Sequence, residues 1–77
     1  MVEKIFVMII RCGEVIEDPE LCTPNHNQTY PGSKISARMY GDDGALLVIH
    51  IPDGNTERVF NAFYREQKKY RKMFTGQ

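Results

Sequence analysis

The chain has no tryptophan, only two cysteines and four prolines, and no net charge, its ten acids matching its ten bases. Its longest unbroken apolar run, Ile5 to Ile10, is six residues. Each shortage excludes something. Cys12 and Cys22 are too few for the disulfide framework of a small secreted domain, which carries about four to eight cysteines. Six apolar residues fall far short of the roughly 20 needed to span a bilayer. Arg11 closes that run with no small-residue cleavage site behind it, so the start reads as a buried strand rather than a signal peptide. Zero net charge excludes a uniformly basic nucleic-acid binder and a strongly acidic mimic of one. The expected location is cytoplasmic, without membrane association, and the sequon Asn27-Gln28-Thr29 is then accidental.

A chain of 77 residues makes one domain, 1–77, that can bury about 63% of its unfolded surface. Such a core holds one sheet and one helix but does not easily wall off a deep catalytic cavity. Residues 2–12 are read as a first strand: Ile5, Val7 and Ile9 form one alternating set, and Phe6, Met8 and Ile10 the other. A strand apolar on both sides is covered on both sides, which points to an interface and allows a homodimer. Residues 13–33 contain Pro19, Pro24 and Pro31 together with Gly13 and Gly32, and are read as a long loop. In 34–51 the alternation of Ile35, Ala37 and Met39, the turn Gly41-Asp42-Asp43-Gly44 and the run from Ala45 to Ile51 predict a β-hairpin. Pro52-Asp53-Gly54 stops it, and Asn55 or Thr56 is placed to cap a helix over 56–74. At 100° per residue, Val59, Phe60, Phe63, Tyr70 and Phe74 share one arc, with Gln67 interrupting it. The expected fold is therefore α+β: a three-stranded antiparallel sheet (strand, long loop, hairpin) with one C-terminal amphipathic helix packed on one face.

The opposite side of that helix carries Arg58, Asn61, Arg65, Lys68, Lys69 and Lys72, with Arg71 at its margin. Positions 61, 65, 68 and 72 fall in one continuous helical row. Such a row serves as a solvated face, as a track for phosphates or as a dock for an acidic protein groove. Tyr64 sits beside it and suits an interface anchor or a base-stacking platform. The segment Glu14, Glu17, Asp18 and Glu20 has the opposite sign and supplies a second contact surface, or folds over the basic row. Residues 1–57 hold nine acids and four bases, a net −5, whereas residues 58–77 hold one acid and six bases, a net +5. Neutrality is thus the sum of two opposed regions.

Little in the chain carries chemistry. Cys12, Cys22, His26 and His50 have the residue count of a structural zinc site, but their spacing lacks paired ligands at both ends. A Cys12–Cys22 disulfide does not suit a reducing compartment, so two unpaired thiols are expected, with Cys12 buried. Cys22 and His26 lie four apart, as a nucleophile and base could, yet nothing in a proline-rich loop fixes their geometry. His50 alternates with Leu46 and Val48 and reads as a structural strand histidine. Asp42, Asp43 and Asp53 sit in turns, where short carboxylates bond the local backbone. No phosphate-cradling glycine loop is present. No cofactor and no metal are expected.

In size and scarcity of motifs the chain resembles the small inhibitors encoded by phages and mobile elements, of which anti-CRISPR proteins are one kind. The lack of a catalytic set, the two oppositely charged segments and the doubly apolar strand point to a non-enzymatic interaction protein that regulates or inhibits a larger protein or ribonucleoprotein. The expected contacts are Arg58, Tyr64, Arg65, Lys68, Lys69 and Lys72, with Glu17, Asp18 and Glu20 second. The alternatives are a small RNA- or DNA-binding module using the same helix face, and a small enzyme or metal-clipped domain built on Cys22 and His26.

Overall fold

The computed structural model describes residues 2–26, 30–66 and 68–69, with side chains from residue 5 onward. Its order is α1 (Val2–Glu17), β1 (Leu21–Pro24), β2 (Lys34–Met39), a 3-10 turn at Gly41–Asp43, β3 (Ala45–Asp53) and β4 (Thr56–Arg65). The strands form one antiparallel sheet in the order β1-β2-β3-β4. The class is α+β, as expected, but the arrangement is not. The helix is at the N-terminus, and the sheet has four strands instead of three.

Three corrections follow, each with a local cause. Residues 2–12 are helical, not a strand. An apolar run of six fits both periods, but Met8, Cys12, Val15 and Ile16 fall within one 100° arc of a helix, and this arc is the one that packs. The helix outlasts Gly13 and stops at Glu17, because Pro19 disfavours helical backbone at Asp18. The expected loop 13–33 thus contains the end of α1 and also strand β1. Leu21 pairs with Ala37 and Pro24 with Lys34. Pro24 is tolerated because β1 is an edge strand and Pro24 is its last residue.

The third correction removes the C-terminal helix over 56–65. Residues 52–57 do not cap a helix. Asp53 pairs with Thr56 across the two-residue turn Gly54-Asn55, and Gly54 takes a φ of +65° at its first central position. Returning along β3, β4 pairs Ala45↔Arg65 down to Ile49↔Asn61, then His50↔Val59. Phe60 is therefore an extra, bulged residue. The bulge breaks strict alternation, so that Val59, Phe60 and Phe63 mimic helical spacing. The part of the expected helix beyond residue 69 lies outside the described residues.

The core has two layers. On one face of the sheet the buried Leu46 and Val48 meet Val15 of α1, flanked by Met8, Cys12, Ile16, Tyr40, Ala62 and Tyr64. On the other, Ala37, Ala45 and Leu47 are buried beneath Leu21, Ile35, Met39 and Phe63. The second half of α1 is also held by polar contacts. Arg11 Nη1 donates to Asp43 Oδ2 at 2.9 Å and to the Tyr64 hydroxyl at 3.0 Å. Its guanidinium lies 4.3 Å from the Tyr40 ring centre. The Tyr40 hydroxyl donates to Glu14 Oε1 at 2.7 Å.

Candidate functional site

Two features stand out from an ordinary small sheet. The first is a line of polar side chains crossing all four strands on the side that α1 packs against. Cys22 on β1 pairs with Ser36 on β2. Ser36 Oγ lies 3.5 Å from Cys22 Sγ and 2.7 Å from His50 Nε2 on β3. His50 Nδ1 lies 2.6 Å from Glu57 Oε1 on β4. Ser36 and His50 are buried, at 1% and 4% exposure, while Cys22 is exposed and Glu57 is partly so. The line thus has two ends in contact with solvent and an enclosed middle. Its Glu57 end opens on a shallow cleft of about 390 Å³, lined also by Gly13, Ile16 and Glu17 of α1 and by the turn Gly54-Asn55-Thr56.

The proton count of this line is constrained. The Ser36 hydroxyl has one proton to give and lone pairs to receive, and a neutral imidazole has one donor and one acceptor. With Nδ1–H donating to Glu57, Nε2 accepts from Ser36, and the Ser36 oxygen is left to accept from the Cys22 thiol. With both ring nitrogens protonated, Nε2–H donates to Ser36 and the hydroxyl turns to donate to Cys22 sulfur. Both arrangements satisfy every contact. A serine, a histidine and a carboxylate in sequence is the order of a nucleophilic triad, but Ser36 is enclosed. The group that solvent reaches is the thiol.

The second feature is the first half of α1. Ile5, Phe6, Ile9 and Ile10 are 61–64% exposed and Val7 is 41% exposed. These five side chains present on the order of 500 Å² of apolar surface, as large as the biggest patch of a typical monomer. At 100° per residue they span about 200° of the helix, outside the arc of Met8 and Cys12 that packs, so no single sheet face could cover them. No helix among the described residues is long and apolar enough to cross a membrane.

The expected contact residues are not assembled into one face. Arg58, on β4, pairs with Asp53 at 3.2 Å. Tyr64 points toward α1 and meets Arg11. Arg65 lies over the Phe63 ring at 5.4 Å. Lys68 and Lys69 are exposed beyond the end of β4, and Lys72 lies outside the described residues. In a strand, residues 58, 61 and 65 form no helical row, so the expected basic helix face is not formed at these three positions. In the acidic segment, Asp18 accepts from Arg38 at 2.9 Å, Glu20 Oε1 accepts from the Met39 amide at 2.8 Å, and Glu17 lines the cleft. These contacts run to β2, not to residues 58–69.

Cys12, on α1, is half-buried against the core, where burial pushes its thiol above the ordinary range. Cys22 belongs to the polar line, and His26 is exposed. Among the described residues no group of three or more His, Cys, Asp or Glu side chains is placed to hold a metal ion. Sequence reasoning named Cys22 and His50 but missed the two residues that join them into a line. Ser36 could have been found, because it alternates with Arg38 and Tyr40 on the strand paired with His50. Glu57 could not, because its segment reads as the first turn of a helix and not as a strand returning from Gly54-Asn55. Comparison of the chain with protein-family models, with curated proteins and with solved structures finds no match in any of the three.

Proposed function

We propose that this chain is a small non-enzymatic interaction module that binds and regulates a larger protein, docking through the uncovered half of α1. The observation that carries the reading is the exposure of Ile5, Phe6, Ile9 and Ile10 on a helix whose following turns are firmly packed. A helix apolar on all sides is normally enclosed, and a groove in a larger protein encloses one. A second copy fits less well. The patch supplies about 500 Å², whereas a stable interface takes about 800 Å² from each partner. A lipid surface also fits less well, because interfacial helices carry Lys and Arg on their polar side. Here Arg11 is tied to Asp43, and the other charges in 5–17 are Glu14 and Glu17. The reading puts the module in the cytoplasm, whose reducing conditions keep thiols such as Cys12 and Cys22 unpaired.

The test is affinity capture from the native cell with three baits: wild type, Phe6→Glu/Ile9→Glu and Lys68→Glu/Lys69→Glu. The reading expects one protein retained by wild type and by the lysine variant and lost by the α1 variant, with that loss reproduced using the purified partner. Loss with the lysine variant alone overturns it. So does concentration-dependent dimerisation of wild type that Phe6→Glu/Ile9→Glu abolishes, or co-sedimentation of wild type with phospholipid vesicles.

A further inference from the structure

We propose that Cys22 is a reactive-thiol site for soft electrophiles and small disulfides, its proton carried away through Ser36 to His50, with Glu57 holding the imidazolium. The geometry of the line makes this possible. Ser36 Oγ touches both the thiol sulfur and Nε2, at 3.5 and 2.7 Å, so one hydroxyl can receive the thiol proton and pass on its own. Glu57 Oε1, 2.6 Å from Nδ1, supplies the negative charge that a protonated ring requires. Ser36 and His50 are shielded from water, whereas the sulfur is accessible. A reactive cysteine needs this combination of an accessible sulfur and a nearby base. Cys12, which is packed against apolar side chains, lacks it.

The step balances as follows. The Cys22 S–H bond breaks, its proton passes to Ser36 Oγ, and the Ser36 proton passes to His50 Nε2, leaving a thiolate and an imidazolium paired with Glu57. The thiolate attacks one sulfur of a small disulfide. The S–S bond of that molecule breaks, a mixed disulfide forms on Cys22, and the departing thiolate recovers the proton from His50 through Ser36. Cys22 is oxidised and half of the disulfide is reduced to free thiol.

The experiment follows chromogenic thiol release from an aromatic disulfide mixed with the full chain at neutral pH. A Cys12→Ala background leaves Cys22 as the sole thiol. Ser36→Ala, His50→Gln and Glu57→Gln are each expected to slow modification, by about tenfold for the first two. Ser36→Thr, which keeps a hydroxyl at the relay position, is expected to restore the rate to within about twofold of wild type. Denaturant-unfolded samples of all variants are expected to react alike, which separates the relay from any change in intrinsic thiol chemistry. Unchanged rates in folded Ser36→Ala and His50→Gln overturn the proposal. Should either fail to fold, Glu57→Gln, at the solvent end of the line, decides: an unchanged rate there overturns the proposal and a slowed one supports it.

Discussion

His50 and Glu57 share one side of the sheet because the turn Gly54-Asn55 sets Asp53 opposite Thr56, and with it Glu57 opposite Pro52 and Val59 opposite His50, below the bulge at Phe60. Extended straight from Ile49↔Asn61, the register would instead pair His50 with Phe60, placing Arg58 on the His50 side and Glu57 on the reverse. With Phe60 bulged, Val59 faces His50, and Glu57 reaches Nδ1 at 2.6 Å. The turn thus sets the side of the carboxylate that completes the polar line, and the bulge reconciles it with the pairing of Asn61 to Arg65. Deleting Phe60 leaves Val59 opposite His50 and Glu57 opposite Pro52, so the His50–Glu57 pair is predicted to survive loss of the bulge. The His50 side-chain NMR resonances, which report that contact, should keep their pattern in the deletion and shift in Glu57→Gln.

His50→Ala is predicted to destabilise the fold by about 2–3 kcal/mol. It leaves the Ser36 hydroxyl, at 1% exposure, with only the weak 3.5 Å contact to Cys22 Sγ, and takes the hydrogen-bond donor from a partly buried carboxylate. Urea unfolding followed by circular dichroism measures the loss. A loss below about 0.5 kcal/mol would mean that water replaces the imidazole at no cost.

Gly44 has a φ of +86°, and a β-carbon there would stand 2.3 Å from the Arg65 carbonyl oxygen. Gly44→Ala is therefore strained in its backbone and crowded against backbone that cannot swing aside. It is expected to cost about 2–4 kcal/mol. Gly41 also has a positive φ but has nothing within 4 Å of its added β-carbon. Gly41→Ala should cost less, about 1–2 kcal/mol. Equal losses at the two positions would remove the steric part of the account.

Tyr40 ionises late. Burial first, and then its hydrogen bond to Glu14, push its hydroxyl up to about 12 from an ordinary 10. Because the folded state holds this proton more tightly than the unfolded chain, its contribution to stability is complete below pH 10 and is lost as pH rises toward 12. Absorbance titration of the tyrosinate should show a late component that moves earlier in Glu14→Gln. An unmoved titration would leave burial as the whole cause.

Val15 is the fully buried contact between α1 and the sheet, set against Leu46 and Val48. Val15→Ala is predicted to cost about 1.5–3 kcal/mol. Its effect should be strongest on hydrogen exchange in α1, since the strands keep their own ladder.

The β2–β3 hairpin was legible in the residues themselves. Alternation in Ile35, Ala37 and Met39, a turn rich in glycine and aspartate, and a second apolar run leave a chain of this size one economical pairing. The shared side of Leu46, Val48 and His50 was legible for the same reason, since a strand has a fixed period of two. The apolar surplus near the N-terminus was likewise present in Ile5 to Ile10. Tertiary structure decided the rest. Whether that run coils or extends depended on which of its residues could reach Leu46 and Val48, and no local period settles that. Whether 56–65 became helix or strand depended on β3 offering an open edge, with pairing outweighing a helical spacing that the bulge had produced by chance. The charge balance of two opposed regions is a property of the sequence, but the basic row along a helix was not. In β4 Arg58 and Arg65 lie at separate points, and the residues that meet across the sheet are a cysteine, a serine, a histidine and a glutamate brought together by register.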